Sequence, residues 1–71
     1  MKKLKPVKSS QLIRQLKKAG FKKIRQKGSH IFFRHDDGRT TVVPHHKGEE
    51  ISKGLLHKIL SDTELTPSDI F

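Results

Sequence analysis

The chain contains no cysteine among its 71 residues. This absence excludes disulfide bonds, thiolate zinc sites and cysteine nucleophiles, and it fits a protein of the cytoplasm. Long apolar runs are also missing, because no window has the length of a membrane-spanning helix and residues 1–6 lead into no hydrophobic stretch of the signal-peptide type. The sequence therefore predicts a cytoplasmic domain that is held together by packing alone and has no membrane partner.

Acidic residues are scarce, with 7 Asp and Glu against 16 Lys and Arg, which gives a formal net charge of +9. An acidic partner is therefore expected, and nucleic acid is the commonest such partner for a small basic domain. A chain of this length supports one domain with a limited core. We predict a flexible basic arm over residues 1–8, followed by one domain over residues 9–71.

Apolar residues recur at helical spacing in two segments. The first segment has Ser9 or Ser10 as its predicted cap and Gly20 as its left-handed end. Ser52 is the predicted cap of the second segment. The apolar stripe of that second helix comprises Leu55, Leu56, Ile59 and Leu60. Residues 66–69 are typical of the start of one further helical turn, with Pro67 at its first position.

Three strands are predicted between the two helices, over residues 21–26, 30–34 and 40–43. Asp37 and Gly38 form a two-residue hairpin signal between the second strand and the third. The order is therefore α-β-β-β-α. One face of a three-stranded antiparallel sheet has to be buried under two helices, which gives an α+β domain.

His30 is the candidate catalytic residue. It begins the second strand shortly after Gly28, and an imidazole can both take and return a proton near neutral pH. A two-residue turn sets His30 opposite His45, whereas a four-residue loop sets it opposite Val43. In either register the imidazoles of His30, His45 and His46 gather at one edge of the sheet.

Metal-free cleavage of RNA needs a base for the 2′-hydroxyl, a proton donor for the leaving 5′-oxygen and a cation beside the phosphorane. A histidine with neighbouring Lys or Arg supplies these groups, although a lone histidine at a strand start is often only structural. The histidines lack the spacing of a helical zinc site, so no metal site is predicted. The Lys and Arg side chains of the first strand either bind successive phosphates of a nucleic acid or only face solvent.

Motifs over residues 10–61 resemble the HicA-type toxins. In chain order they are LKKAGF (16–21), RQKGSH (25–30), FRH (33–35), DGR (37–39), VP (43–44), His46, and KGLL (53–56) running into Ile59 and Leu60. The resemblance implies a double-stranded-RNA-binding-domain-like fold, mRNA interferase activity and neutralisation by a HicB-type antitoxin in a heteromeric complex. It places the family's catalytic histidine on His30, and it implies that Lys53 and the amides of Gly54 and Leu55 face phosphate.

The same resemblance implies which side chains of the hairpin face the core. Phe32 and Val43 are expected to point inward. Ile31, Phe33 and Val42 are then expected on the outer face, as an apolar patch for a protein partner.

The predicted function is that of a toxin with endoribonuclease activity, which uses His30 as its acid and base and needs no metal or other cofactor. Its predicted partners are mRNA and a HicB-type antitoxin. The alternatives are a non-enzymatic RNA-binding module of the same fold and a basic domain that binds an acidic protein. The residues predicted to contact RNA are Lys22, Lys23, Arg25, Lys27, Gly28, Ser29, Arg34, His46 and Lys53.

Overall fold

Two helices pack against one face of a three-stranded antiparallel sheet in the computed structural model, which describes residues 4–71. In chain order the elements are β1 (Val7–Lys8), α1 (Ser9–Lys18), β2 (Lys22–Lys27), β3 (His30–Arg34), β4 (Thr40–Pro44), β5 (Glu50–Ile51), α2 (Lys53–Thr63) and α3 (Pro67–Ile70). The strand order is β2-β3-β4, so β2 is an edge strand, and β1 pairs with β5 in a separate two-stranded sheet. The predicted α+β class and the α-β-β-β-α order are confirmed.

The core lies between the helices and the inner face of the sheet. Its buried members are Val7, Leu12, Leu16, Phe21, Ile31, Phe33, Val43, Ile51, Leu56, Ile59, Leu60 and Ile70. Helix α2 begins as predicted, because the hydroxyl of Ser52 accepts a hydrogen bond from the backbone N–H of Leu55. No helix within residues 4–71 is long and apolar enough to cross a membrane.

Val7 and Lys8, which the sequence placed in a flexible arm, form strand β1 instead. Val7 pairs with Ile51 of β5 and is only 3% exposed. The arm differs from the prediction here because β5 offers a pairing partner and the core accepts the valine side chain. Residues 1–3 of the predicted arm lie outside the described residues.

The N-terminus of α1 also differs from the prediction. Lys8 occupies the N-cap position, and no side chain caps the helix there. Ser9, one of the two predicted caps, is buried, and its hydroxyl lies 2.5 Å from Nδ1 of His45. Ser10, the other predicted cap, lies within the helix and is exposed. A long-range contact has therefore taken the hydroxyl that local pattern assigned to the cap.

Gly20 ends α1 as predicted, with a φ of +99° in the left-handed region that glycine tolerates best. The backbone N–H of Phe21 donates to the carbonyl oxygen of Leu16 at 3.0 Å, as in a Schellman motif. Nε2 of His35 lies 2.8 Å from the place where any other residue would have its Cβ. Both the backbone conformation and the close approach of this ring therefore require glycine here.

The β3–β4 hairpin has a register between the two that were predicted, because His30 pairs with Pro44. The backbone N–H of His35 donates to the carbonyl oxygen of Arg39 at 2.8 Å. The N–H of Gly38 donates to the carbonyl oxygen of His35 at 2.9 Å, and Gly38 has a φ of +97°. This geometry belongs to a three-residue hairpin loop that ends in a left-handed residue, whereas two-residue and four-residue loops shift each pair by one residue.

The faces of β3 are consequently the reverse of the expected ones. Ile31 and Phe33 are buried at 5% and 0% exposure, and Ile31 pairs with the buried Val43. Phe32 is half-buried and pairs with Val42, which is 36% exposed. The expected outer patch is therefore wrong for Ile31 and Phe33 and correct for Val42, because a one-residue change of register moves each β3 side chain to the other face.

Arg39 ties the tip of this hairpin to the helical layer. Its backbone N–H donates to Oδ1 of Asp37 at 3.0 Å, and this hydrogen bond lowers the pKa of the Asp37 carboxyl below its usual value. The guanidinium donates to the other oxygen of Asp37 and to the carbonyl oxygen of Thr63, the last residue of α2. Its Cζ also lies 5.2 Å from the centroid of the Phe21 ring.

Candidate functional site

His30 is exposed on the face of the sheet that the helices leave uncovered, which we call the outer face. The side chains of His30 and Phe32 share this face, since successive side chains of a strand alternate and Ile31 between them is buried. Gly28 makes the turn into β3 with a φ of +58°. Lys27 of β2 pairs directly with His30. The imidazole is therefore open to solvent, with a lysine on the adjacent strand.

The three strands of the sheet carry basic side chains and no acidic ones. Their cations, all on exposed residues, are Lys22, Lys23, Arg25, Lys27 and Arg34. Nζ of Lys22 lies 4.0 Å from Oδ1 of Asp36 in the hairpin loop, and both side chains are largely exposed. Such surface ion pairs contribute little to stability, and Asp36 belongs to the hairpin loop and not to a strand of the sheet. The sheet therefore presents a positive surface to an approaching ligand.

A β-bulge in β2 decides which of these cations share the outer face with His30. The register slips between Lys23 and Arg25. After the bulge, Arg25 and Lys27 pair with outer-face residues of β3, whereas Lys23 pairs with the buried Phe33. The candidate RNA-binding cations of β2 are thus divided between the two sides of the strand, which the sequence pattern does not reveal.

Arg25 stacks on Phe32, with its Cζ 4.4 Å from the centroid of the ring. Ile24 and Val42, exposed at 55% and 36%, lie along the same open groove of about 660 Å³. The contact between Arg25 and Phe32 was not predicted from the sequence. Its only sequence signal is one Arg and one Phe in neighbouring strands, and the bulge that aligns them has no local signature.

The three histidines predicted at one edge have different surroundings. The backbone N–H of His45 donates to the carbonyl oxygen of Ser29 at 2.7 Å, which joins the end of β4 to the turn before His30. The His45 ring contacts the hydroxyl of Ser9 and is therefore held by α1. His46, by contrast, is exposed. His45 therefore supports the turn before His30 through its backbone N–H, while its imidazole contacts α1.

A family model described as the HicA toxin of bacterial toxin-antitoxin systems matches residues 9–65. The chain belongs to the HicA toxin family. The resemblance inferred from the sequence motifs is thereby confirmed, and the match includes α1, the whole three-stranded sheet and α2 of this toxin. No curated protein sequence matches the chain significantly.

Lys53 of the toxin belongs to α2 and not to the sheet; it is the first residue of the helix and is exposed. The amide of Leu55, which the family resemblance assigned to phosphate, donates to the hydroxyl of Ser52 at 3.3 Å. That amide is thus occupied by the helix cap. Within residues 4–71, no group of three or more His, Asp or Glu side chains is arranged to hold a metal ion.

The hydrogen bond between Ser9 and His45 gives a stability prediction for the toxin. We expect Ser9→Ala to lower the free energy of unfolding by about 1–2 kcal/mol, because a half-buried ring nitrogen loses its partner. Ser10→Ala is the matched control and should change it by less than about 0.5 kcal/mol, since Ser10 is exposed. Urea denaturation of the three proteins measures the difference. Equal effects of the two substitutions would contradict the assigned role of Ser9.

Proposed function

We propose that this toxin is an endoribonuclease that cleaves mRNA with His30 as general acid and base and without a metal ion. Toxins of the HicA family are mRNA interferases. The observation that carries the proposal is the exposed imidazole of His30 on a surface whose strands hold cations and no carboxylates. Messenger RNA as the substrate also implies that the toxin acts in the cytoplasm.

The chemistry needs only groups that this surface offers. The neutral imidazole of His30 removes the proton of a 2′-hydroxyl, and the resulting oxygen attacks the adjacent phosphorus. The protonated imidazole then returns its proton to the leaving 5′-oxygen. Lys27, which pairs with His30 across the strands, supplies positive charge beside the phosphorane. Deoxyribose has no 2′-hydroxyl, so DNA cannot follow this route.

The remaining candidate residues divide into groups according to their positions. We propose that Lys22, Arg25, Lys27 and Arg34 bind phosphates. Arg34 belongs to the outer face, and the other three cations, all on β2, pair with outer-face residues of β3. We assign to Gly28 and Ser29 the presentation of His30 through their turn. Lys23, His46 and Lys53 are proposed as contacts at the margins of the bound RNA.

We further propose that a HicB-type antitoxin with an acidic surface covers the His30 end of the sheet and strand β2. A toxin with a formal charge of +9 has to be kept from RNA as well as silenced chemically. Opposite charge speeds the encounter, and apolar contact slows dissociation. Phe32 and Val42 are the apolar side chains available for this contact, in place of the expected Ile31 and Phe33.

Metal removal tests the proposed chemistry. We expect the purified toxin to cleave an unstructured oligoribonucleotide at an unchanged rate in excess EDTA, because an imidazole and cations perform each step. A DNA strand of the same sequence is the control and should stay intact. Cleavage that stops in EDTA and returns with zinc or magnesium would contradict metal independence. Binding of RNA without any cleavage would instead indicate the non-enzymatic module.

A further inference from the structure

We propose that the Arg25–Phe32 pair is a stacking site for one nucleobase of single-stranded RNA, next to His30 on the outer face. The inference rests on the proposed function and deepens it, since it assigns a base-binding subsite beside the reacting phosphate. The cations described above account for phosphate binding. They leave open which group of the substrate meets the apolar part of this face.

The position of Phe32 is the first observation. Its neighbour Phe33 is fully buried, whereas Phe32 keeps part of its ring exposed on the surface that carries His30. The guanidinium of Arg25 lies over that ring, with its Cζ 4.4 Å from the centroid. Bases of single-stranded RNA stack on aromatic rings and on guanidinium planes alike. The guanidinium covers this face of the ring, so the stack offers one planar surface, the outer side of the guanidinium, on which a base can stack.

The space around the pair is the second observation. Ile24 and Val42 are exposed and line the same groove as Arg25 and Phe32. The groove holds about 660 Å³, within the usual range of small-molecule sites. The groove is also lined by Phe33, Thr40 and Thr41 of the sheet and by Lys58 and Asp62 of α2. It therefore combines apolar side chains and the planar guanidinium of Arg25 with polar groups of β4 and α2.

The spacing of residues along β3 places the Arg25–Phe32 pair near His30. Phe32 is two residues along the same strand, so the two side chains are spaced by about 7 Å on one face. That spacing is on the scale of one nucleotide of an extended strand. A phosphate held between Lys27 and His30 would therefore leave a neighbouring base over the Arg25–Phe32 pair.

Charge favours RNA as the ligand of this groove, which the antitoxin proposed above would cover when it inhibits the toxin. The strands that form the outer face contain no Asp or Glu, and Lys22, Arg25, Lys27 and Arg34 accompany the apolar side chains. Asp62 of α2 also lines the groove, and its carboxylate lies 3.3 Å from Nζ of Lys58. A ligand that satisfies this surface needs repeated negative charge and flat apolar faces together. Single-stranded RNA has both in every nucleotide, whatever its sequence.

The experiment uses the full-length toxin with His30→Ala, so that bound RNA stays intact. The probe is a short unstructured oligoribonucleotide with one 2-aminopurine, a base whose fluorescence is quenched when it stacks. We expect Phe32→Leu to weaken RNA binding by about fivefold to a hundredfold and to abolish the quenching. Phe32→Tyr should retain both, because it keeps an aromatic ring.

Arg25→Lys separates stacking from charge. It keeps the positive charge but removes the planar group, so we expect weaker quenching together with a smaller loss of affinity. Arg14→Lys on α1 is the matched control, because Arg14 is exposed and lies outside the sheet. This control should change neither the affinity for RNA nor the quenching of 2-aminopurine.

Each other outcome counts against one proposal. Unchanged affinity and quenching with Phe32→Leu would overturn the stacking site. If Phe32→Leu weakened binding of an antitoxin but left RNA binding undiminished, the face would be assigned to a protein. That result would also overturn the stacking site. Cleavage by the His30→Ala toxin at the wild-type rate would refute the catalytic role of His30 in the proposed function, while the fluorescence result would still report on stacking.

Discussion

Replacing His30 with alanine should reduce RNA cleavage by about 10²–10⁴-fold, the usual contribution of one general acid or base. The loss should be larger if the same imidazole serves in both proton transfers. The fold should persist, because His30 is exposed and its ring adds nothing to the buried core. In cells, expression of the variant should therefore no longer inhibit growth. The assay compares growth curves with the cleavage rates of the purified proteins.

His57→Ala provides the matched control for this experiment. His57 is also an exposed histidine, but it lies on α2 and outside the sheet. We expect His57→Ala to leave cleavage and growth inhibition at wild-type levels. If a folded His30→Ala protein cleaved RNA as fast as the wild type, the catalytic assignment would have to be abandoned.

Phe33→Ala should have the largest effect on stability, lowering the free energy of unfolding by about 3–5 kcal/mol. Phe33 is 0% exposed at the centre of the core, and its removal leaves a cavity that the helices cannot close. A domain of this size has a total stability of only several kcal/mol. We therefore expect the variant to be largely unfolded at 37 °C.

The adjacent Phe32 is the matched control for Phe33. Phe32→Ala should lower the free energy of unfolding by only about 1–2 kcal/mol, since it removes a half-buried ring and its contact with Arg25. Circular dichroism during urea denaturation measures both variants. A larger loss with Phe32→Ala than with Phe33→Ala would support the facing expected from the sequence and contradict the observed register.

Local signals made much of the fold predictable. Gly20 ends α1 where its left-handed conformation was expected, and Ser52 caps α2 with its hydroxyl. The hairpin also lies around Gly38, where its turn was predicted. These features depend on a few residues that are close in sequence, so their physical causes are visible there. The strands and helices consequently appear in the predicted order.

Features that depend on long-range pairing were not predictable in this way. Both faces of β3 carry apolar residues, so the pattern of Ile31, Phe32 and Phe33 does not select the buried face. The two residues of β1 are too few to show any period. In the candidate site, His30 could be singled out as a titratable group at a strand start. The Arg25–Phe32 stack could not, because it depends on a slip in the register of β2.

Strand β2 is an edge of the sheet, and its six residues are all exposed. An exposed edge strand can pair with the edge of another molecule, which is one beginning of aggregation. The closely spaced positive charges of β2 oppose such pairing between two copies of the chain, because they repel each other. Under the proposed function, solubility and RNA binding therefore depend on the same side chains. A neutral β2 would therefore lose this protection against aggregation along with the phosphate-binding charges that the proposed function assigns to it.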